Sequence, residues 1–196
     1  RERTMRVAVL ASGGGTNLQA LLDTCRGSAP AHVALVISNN PKAGALERAR
    51  KAGVESVVLD DPQDGPGVVA VLESHDIELV VLAGYLKLVP NEVVSAFEGR
   101  MLNIHPALLP SFGGKGMYGM NVHEAVIENK ESTSGITIHV VDESYDTGDH
   151  LFQAHVDVEN DETPESLAEK IHVLEYKHFP EVIEQYVLSL SQAKSI

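Results

Sequence analysis

The stretch Met5-Arg6-Val7-Ala8-Val9-Leu10-Ala11-Ser12-Gly13-Gly14-Gly15-Thr16-Asn17-Leu18-Gln19-Ala20-Leu21-Leu22 decides the fold. Its apolar run at 5–11 reads as a strand, and 12–17 reads as a glycine turn. Leu18, Leu21, Leu22 and Cys25 then recur at i, i+3, i+4 and i+7, the buried stripe of one helix. Thr16 or Asn17 is the expected helix cap. Strand, glycine turn and helix in that order open a parallel α/β unit. The turn also presents free backbone N–H groups at the positive end of a helix, which favours an anion. A phosphate site and a tight structural turn are the two readings of these residues. No Lys precedes Thr16, so this is not a Walker-type loop, and Leu18 stands where a dinucleotide fingerprint needs its third glycine. The second strand ends in Asn39-Asn40 rather than in an acid for a ribose. A phosphate monoester therefore fits better than a nicotinamide dinucleotide.

The same alternation continues outward. Strands are expected at 33–38, 54–59, 77–83 and 101–104. Helices are expected between them: one opened by Pro41 and closed by Gly53, one ending near His75 after the loop Asp60 to Gly67, and one at 91–97. The run at 77–83 is apolar almost throughout, as in a strand covered on both faces. This pattern predicts an α/β fold, a Rossmann-like doubly wound, mostly parallel sheet with helices on both faces. After Pro110 the texture changes. Gly113, Gly114, Gly116 and Gly119 form a glycine-rich loop, followed by a short helix at 122–128 and strands at 136–141 and 151–156. Thr163-Pro164 opens a long helix with Leu167, Ile171, Leu174 and His178 on one face, and Pro180 is expected to kink or divide it. No repeat or interdomain linker interrupts the chain. One domain over 1–196 is expected, with a phosphate-binding half at about 1–100 and a catalytic and folate-binding half at about 101–196.

Composition narrows the function classes. The net charge is −13 with only 15 Lys and Arg, scattered along the chain, so no nucleic acid partner is expected. No apolar run reaches the ~20 residues that span a bilayer, so no membrane partner is expected either. Arg1-Glu2-Arg3-Thr4-Met5 lacks the apolar stretch and cleavage site of a signal peptide. Cys25 is the single cysteine, which excludes an internal disulfide and suits the cytoplasm.

Two further stretches carry chemistry. Asn103-Ile104-His105-Pro106-Ala107-Leu108-Leu109-Pro110 follows a predicted strand, where open α/β sheets place their sites. Two residues apart on a strand, Asn103 and His105 point to one side. An amide donor beside an imidazole suits a developing oxyanion and a proton transfer. A capped turn with a surface histidine is the alternative. Ser144-Tyr145-Asp146-Thr147-Gly148 reads as a turn between strands, and an Asp before Gly is commonly a turn residue alone. Nine histidines raise a metal site, with His105, His139, His150 and His155 as candidates, but no HExxH-like spacing supports it and no metal is expected.

In combination these stretches resemble the folate-dependent formyltransferases. The resemblance rests on 11–21, on Leu82-Ala83-Gly84-Tyr85-Leu86, on 102–110 and on Asp146-Thr147-Gly148, in order and at the family's distances. It covers nearly the whole chain. It implies Asn103, His105 and Asp146 as the catalytic set. Gly15, Thr16 and Asn17 are implied to hold a substrate phosphate, and Glu175 to contact the substrate. Leu86, Lys87, Leu88 and Val89, with Asn103, are implied to line the folate site. The implied reaction carries the formyl group of 10-formyltetrahydrofolate, a co-substrate, to the amine of glycinamide ribonucleotide in purine synthesis. No metal is implied, and a homodimer is compatible with the resemblance. Family members often carry an Arg in the loop after the third strand. Asp60-Asp61-Pro62-Gln63-Asp64-Gly65-Pro66-Gly67 has none, so no ligand contact is transferred there. The rival readings are a formyltetrahydrofolate deformylase, a methionyl-tRNA formyltransferase and a non-catalytic nucleotide-binding module. The first usually carries an extra N-terminal domain, the second adds a basic domain for tRNA, and the third has no use for an Asn-His-Asp set.

Overall fold

A computed structural model describes residues 3–194. Arg1 and Glu2, part of the segment read for a signal peptide, lie outside the described residues. Among the described residues, seven strands form one sheet in the order β3-β2-β1-β4-β5-β6-β7. β1 (Met5–Leu10), β2 (Ala31–Ser38), β3 (Glu55–Val58), β4 (Leu79–Leu82) and β5 (Met101–His105) pair in parallel. β6 (Thr133–Val140) and β7 (His150–Asp157) close the sheet antiparallel. The strand order reverses between β1 and β4. A crevice therefore opens beyond the carboxyl ends of β1, β4 and β5.

Alternation along the strands builds two cores. Val7 and Val9 of β1, with Leu79 and Val81 of β4, face one side. Ala8 and Leu10, with Val80 and Leu82, face the other. The first side is covered by α1 (Thr16–Thr24), α2 (Gly44–Lys51), α5 (Met120–Glu128) and α6 (Pro164–Ala193). The second is covered by α3 (Gly65–Ser74) and α4 (Asn91–Ala96). The predicted stripe of α1 is buried as expected, with Leu18, Leu21, Leu22 and Cys25 all below 9% exposure.

Three local expectations are corrected. Neither Thr16 nor Asn17 caps α1. Gly15 is the N-cap, in the left-handed region at φ 77°, and no side chain bonds the helix end. Its first-turn N–H groups are left for something else. Pro41 does not open α2. Asn40 closes a turn instead, its carbonyl accepting from Ala43 N at 3.0 Å and its Oδ1 from Lys42 N at 3.0 Å, so the helix starts at Gly44. Pro180 does not divide α6, which runs unbroken for 30 residues. The carbonyl that Pro180 cannot serve belongs to Tyr176, an exposed residue, while Pro180 itself is buried.

Between β5 and α5 the chain is pinned to the sheet by the Thr137 hydroxyl and by Gln153 Nε2 of β7, which donates to the Leu109 carbonyl at 3.0 Å. Thr137, fully buried on β6, accepts from Leu109 N at 3.0 Å and Gln153 Nε2 at 2.9 Å and donates to the Ala107 carbonyl at 2.7 Å. Thr137→Val keeps the shape and leaves a buried N–H and a buried carbonyl without partners. It should cost about 1–3 kcal/mol, read as a lower urea midpoint at unchanged slope. A loss below about 0.5 kcal/mol contradicts the assigned role.

Candidate active site

The crevice at the strand ends is a cleft of about 680 Å³. Gly15, Thr16 and Asn17 line it from the β1–α1 turn, and Leu86, Lys87, Leu88 and Val89 from the segment after β4. Asn103 and His105 line it from β5, Asp146 from the β6–β7 turn and Glu175 from α6. Every site residue expected from the sequence therefore reaches one cavity. His150 and His155 do not, being exposed on edge strand β7.

The geometry centres on Asp146. Met101, Asn103 and His105 share one face of β5, opposite Leu102 and Ile104, which go into the first core. Asn103 Nδ2 donates to Asp146 Oδ1 at 3.3 Å and lies 3.0 Å from His139 Nε2. His105 is 3% exposed, with Nδ1 3.5 Å from Asp146 Oδ1 and Nε2 2.7 Å from the Phe112 carbonyl. Asp146 Oδ2 accepts from Gly114 N at 3.1 Å, which ties the glycine-rich loop to the β6–β7 turn. Asp146 itself is in the left-handed region at φ 54°. The turn that holds it is set by Gly148 and Asp142. A Cβ on Gly148 would overlap the Val140 carbonyl, so only glycine lets the chain turn back there. Asp142 Oδ1 accepts from Ser144 N at 2.9 Å and Thr147 Oγ1 at 2.6 Å.

The protonation states follow from burial and charge together. Burial pushes the His105 pKa below the ordinary imidazole value, while Asp146 and the Phe112 carbonyl pull it back up. Asp146 raises it, as its proximity suggests, yet desolvation is the larger effect and the resting imidazole is biased to neutral. Burial raises Asp146, but His139, His105 and the Gly114 N–H outweigh it together and hold the carboxyl below its usual value. Both shifts mean that the folded site binds fewer protons than the unfolded chain. Each contributes stability that is present above the unfolded pKa and is lost as pH falls toward the folded one.

At the opposite wall Glu175, 6% exposed, accepts from Asn17 Nδ2 and lies 3.4 Å from His172 Nδ1. That contact holds His172 above its ordinary value, mainly by hydrogen bonding. Between the two walls sits His123 of α5, 4% exposed, its Nδ1 buried without a hydrogen-bond partner. Sequence reasoning missed His123 and set His139 aside with the metal candidates. Their value lies in contacts with β5 and α6, for which the local spacing carries no signal. It also missed Ser12, whose hydroxyl bonds Asn39 Oδ1 at 2.5 Å and accepts from Leu86 N at 2.9 Å. Ser12 thus joins the glycine turn to the apolar wall. In the loop without an Arg, Gln63 Nε2 lies 3.4 Å from the Leu88 carbonyl, so the loop meets that wall through a neutral amide.

Residues 5–183 match the model of the formyl transferase family. A chloroplastic phosphoribosylglycinamide formyltransferase of Arabidopsis thaliana is 45% identical over 189 residues, which cover 92% of this chain and 65% of that protein. The chain thus spans slightly under two thirds of that relative's length. A phosphoribosylglycinamide formyltransferase of Bacillus subtilis (strain 168) is 33% identical, with 92% of this chain and 93% of the relative covered. The crystal structure of glycinamide ribonucleotide transformylase 1 from Symbiobacterium toebii superposes with a TM-score of 0.88 at 38% identity, covering 95% of this chain and 89% of that one.

The opposing effects on His105 can be separated. Asp146→Asn removes the charge that raises its pKa and leaves the burial that lowers it. NMR titration of His105 should show a pKa lower in the variant than in the wild type. An equal or higher pKa in the variant contradicts the electrostatic coupling and reduces Asp146 to a turn residue.

Proposed function

Since this chain belongs to the formyl transferase family, we propose that it transfers the formyl group of 10-formyltetrahydrofolate to the amine of glycinamide ribonucleotide, a step of purine synthesis. The observation that carries the reading is the convergence of Asn103, His105 and Asp146 at one cleft with a glycine turn suited to a phosphate. The cleft has the two ends that the reaction needs. Exposed Leu86 and Leu88, with buried Val89, offer an apolar wall to a flat folate ring. The β1–α1 turn offers backbone N–H groups to a phosphate, with Glu175 beside it for the polar body of the substrate. In this reading the strands up to β4 hold the phosphate and the residues from β5 onward supply the catalytic side chains. Lone, buried Cys25 suits the reducing cytoplasm, which is where we place the reaction.

The chemistry needs no net redox change. The amine nitrogen attacks the formyl carbon, and the carbonyl electron pair moves onto its oxygen. The bond from that carbon to the folate nitrogen then breaks, and the pair returns to restore the carbonyl. One proton leaves the amine and one joins the folate nitrogen, so a single proton is relayed. His105 suits the relay. A neutral resting imidazole accepts the amine proton, and the imidazolium so formed is stabilised by Asp146 at 3.5 Å. Asn103 supplies an amide N–H to the developing oxyanion. At rest its Nδ2 donates to Asp146 Oδ1 and lies 3.0 Å from His139 Nε2, so that role includes turning an N–H away from these neighbours.

The acceptor separates a transferase from a hydrolase with similar residues. Release of tetrahydrofolate is measured with glycinamide ribonucleotide, with its dephosphorylated analogue and with no amine. Fast release with the ribonucleotide alone is the expected result. Equally fast release in all three would establish a formyltetrahydrofolate deformylase, and none in any would leave a non-catalytic binding module.

A further inference from the structure

The glycine turn between β1 and α1 has all of its carbonyls tied down on the side away from the cleft. Gly13 O accepts from Ala45 N at 3.0 Å, and Gly15 O accepts from Gln19 N at 2.9 Å. Both are backbone contacts that any side chain would allow. Gly14 O is different: it accepts from Arg48 Nε on α2, at 2.6 Å. Arg48 Nη1 also reaches Gln19 Oε1 of α1 at 3.3 Å, so one guanidinium braces the turn against both helices. The packing underneath is close. A Cβ on Gly44 would lie 3.1 Å from Gly14 O, and one on Gly15 would lie 2.8 Å from Ala45 Cα and 3.2 Å from Arg48 Cδ.

In a trans peptide the carbonyl of one residue and the N–H of the next point in opposite directions. Fixing Gly14 O against α2 therefore aims Gly15 N–H the other way, into the cleft. Gly13 O does the same for Gly14 N–H, and Gly15 O for Thr16 N–H. Among the described residues, no backbone carbonyl accepts from the N–H groups of Gly13 to Asn17. The turn is thus an oriented set of donors in which two peptides depend on side chains: Ser12 O accepts from Asn40 Nδ2 at 3.4 Å, and Gly14 O from Arg48, the charged and shorter of the two contacts. Arg48 does not line the cleft, so it acts from behind. It also puts a full positive charge directly behind the turn in a chain whose net charge is −13.

We propose that Arg48 is the positioning residue of the phosphate site, holding the Gly14 peptide so that Gly15 N–H faces the substrate phosphate and adding its charge to the field there. This rests on the reading that the turn takes a phosphate monoester. Arg48 touches neither substrate nor formyl donor, so its loss weakens one ligand and spares the chemistry.

Arg48→Met and Arg48→Lys test it in the full chain, with melting temperatures checked against the wild type. Arg48→Met should raise KM for glycinamide ribonucleotide about ten-fold, the scale of one charge-assisted hydrogen bond. The kcat and the KM for 10-formyltetrahydrofolate should move by less than about two-fold. Arg48→Lys, which keeps the charge and a donor, should recover most of the loss. Turnover of the dephosphorylated analogue should be equal in wild type and Arg48→Met. An unchanged KM for the ribonucleotide overturns the proposal, and so does an equal loss with the analogue, which would mark a general structural role. Titration calorimetry with ribose 5-phosphate separates this from the activity itself. Binding that weakens in Arg48→Met, in a protein that formylates neither acceptor, rejects the transferase and keeps Arg48. Equal binding in both proteins, or binding in neither, rejects Arg48.

Discussion

The site depends on one carboxylate. Asp146 is 10% exposed in its side chain and stands among Asn103, His105, His139 and the Gly114 N–H. A buried carboxylate with so many neighbours is stable only if they all stay in place, because an unmatched charge in that position is costly. Its position is enforced from outside the cleft. Gly148 lets the turn press on the Val140 carbonyl, Asp142 bonds the turn from within, and Asp146 accepts a left-handed backbone. The antiparallel strands β6 and β7 carry this turn, so the break in an otherwise parallel sheet is what brings an acid back over the end of β5. Asp146 also links chemistry to access, since the same carboxylate that faces His105 fixes the start of the glycine-rich loop.

The two ends of the cleft solve opposite electrostatic problems. At His105 the surroundings are dry, and desolvation lowers the imidazole pKa against the pull of Asp146. A group balanced between those forces changes protonation readily during a reaction. In the proposed reading, the glycine turn holds an anion in a chain of strongly negative charge. Backbone N–H groups do this without a formal charge in the cleft, and α2 orients them through Ala45 and Arg48. Ser12 bonds both Asn39 and Leu86, so the turn and the apolar wall are held at a fixed separation. Fixed spacing between two ligands is what a bimolecular transfer requires.

Much of this was legible in the sequence, for physical reasons. A strand buried on both faces must be apolar at every buried position, so β4, and β1 from Val7 onward, announced themselves. Period-two alternation placed Asn103 and His105 on one face, and α1 declared its stripe through Leu18, Leu21 and Leu22. The misreadings came where a local rule met a tertiary constraint. Thr16 is a good cap by type, but the backbone of Gly15 already occupies that position. Pro180 breaks an isolated helix, but burial of Pro180 against the rest of the fold makes it tolerable in α6. The direction of the His105 shift was beyond reach because burial has no signature in spacing. Ser12, Arg48 and, through Asn103, His139 gain their roles from partners 27 to 74 positions away, and His123 from its place in the cleft, and no short window of sequence contains both members of such a pair.

The central claim is that Asn103 and His105 act on the reacting carbonyl rather than on binding. The most direct test compares Asn103→Ala and His105→Ala with wild type in formyl transfer to glycinamide ribonucleotide, alongside calorimetric binding of that ribonucleotide. Each variant should lose about 100-fold or more in kcat, the scale of a lost transition-state donor, while ribonucleotide affinity changes by less than about three-fold. Near-normal turnover in His105→Ala, or a loss that appears only as weaker binding, contradicts the account.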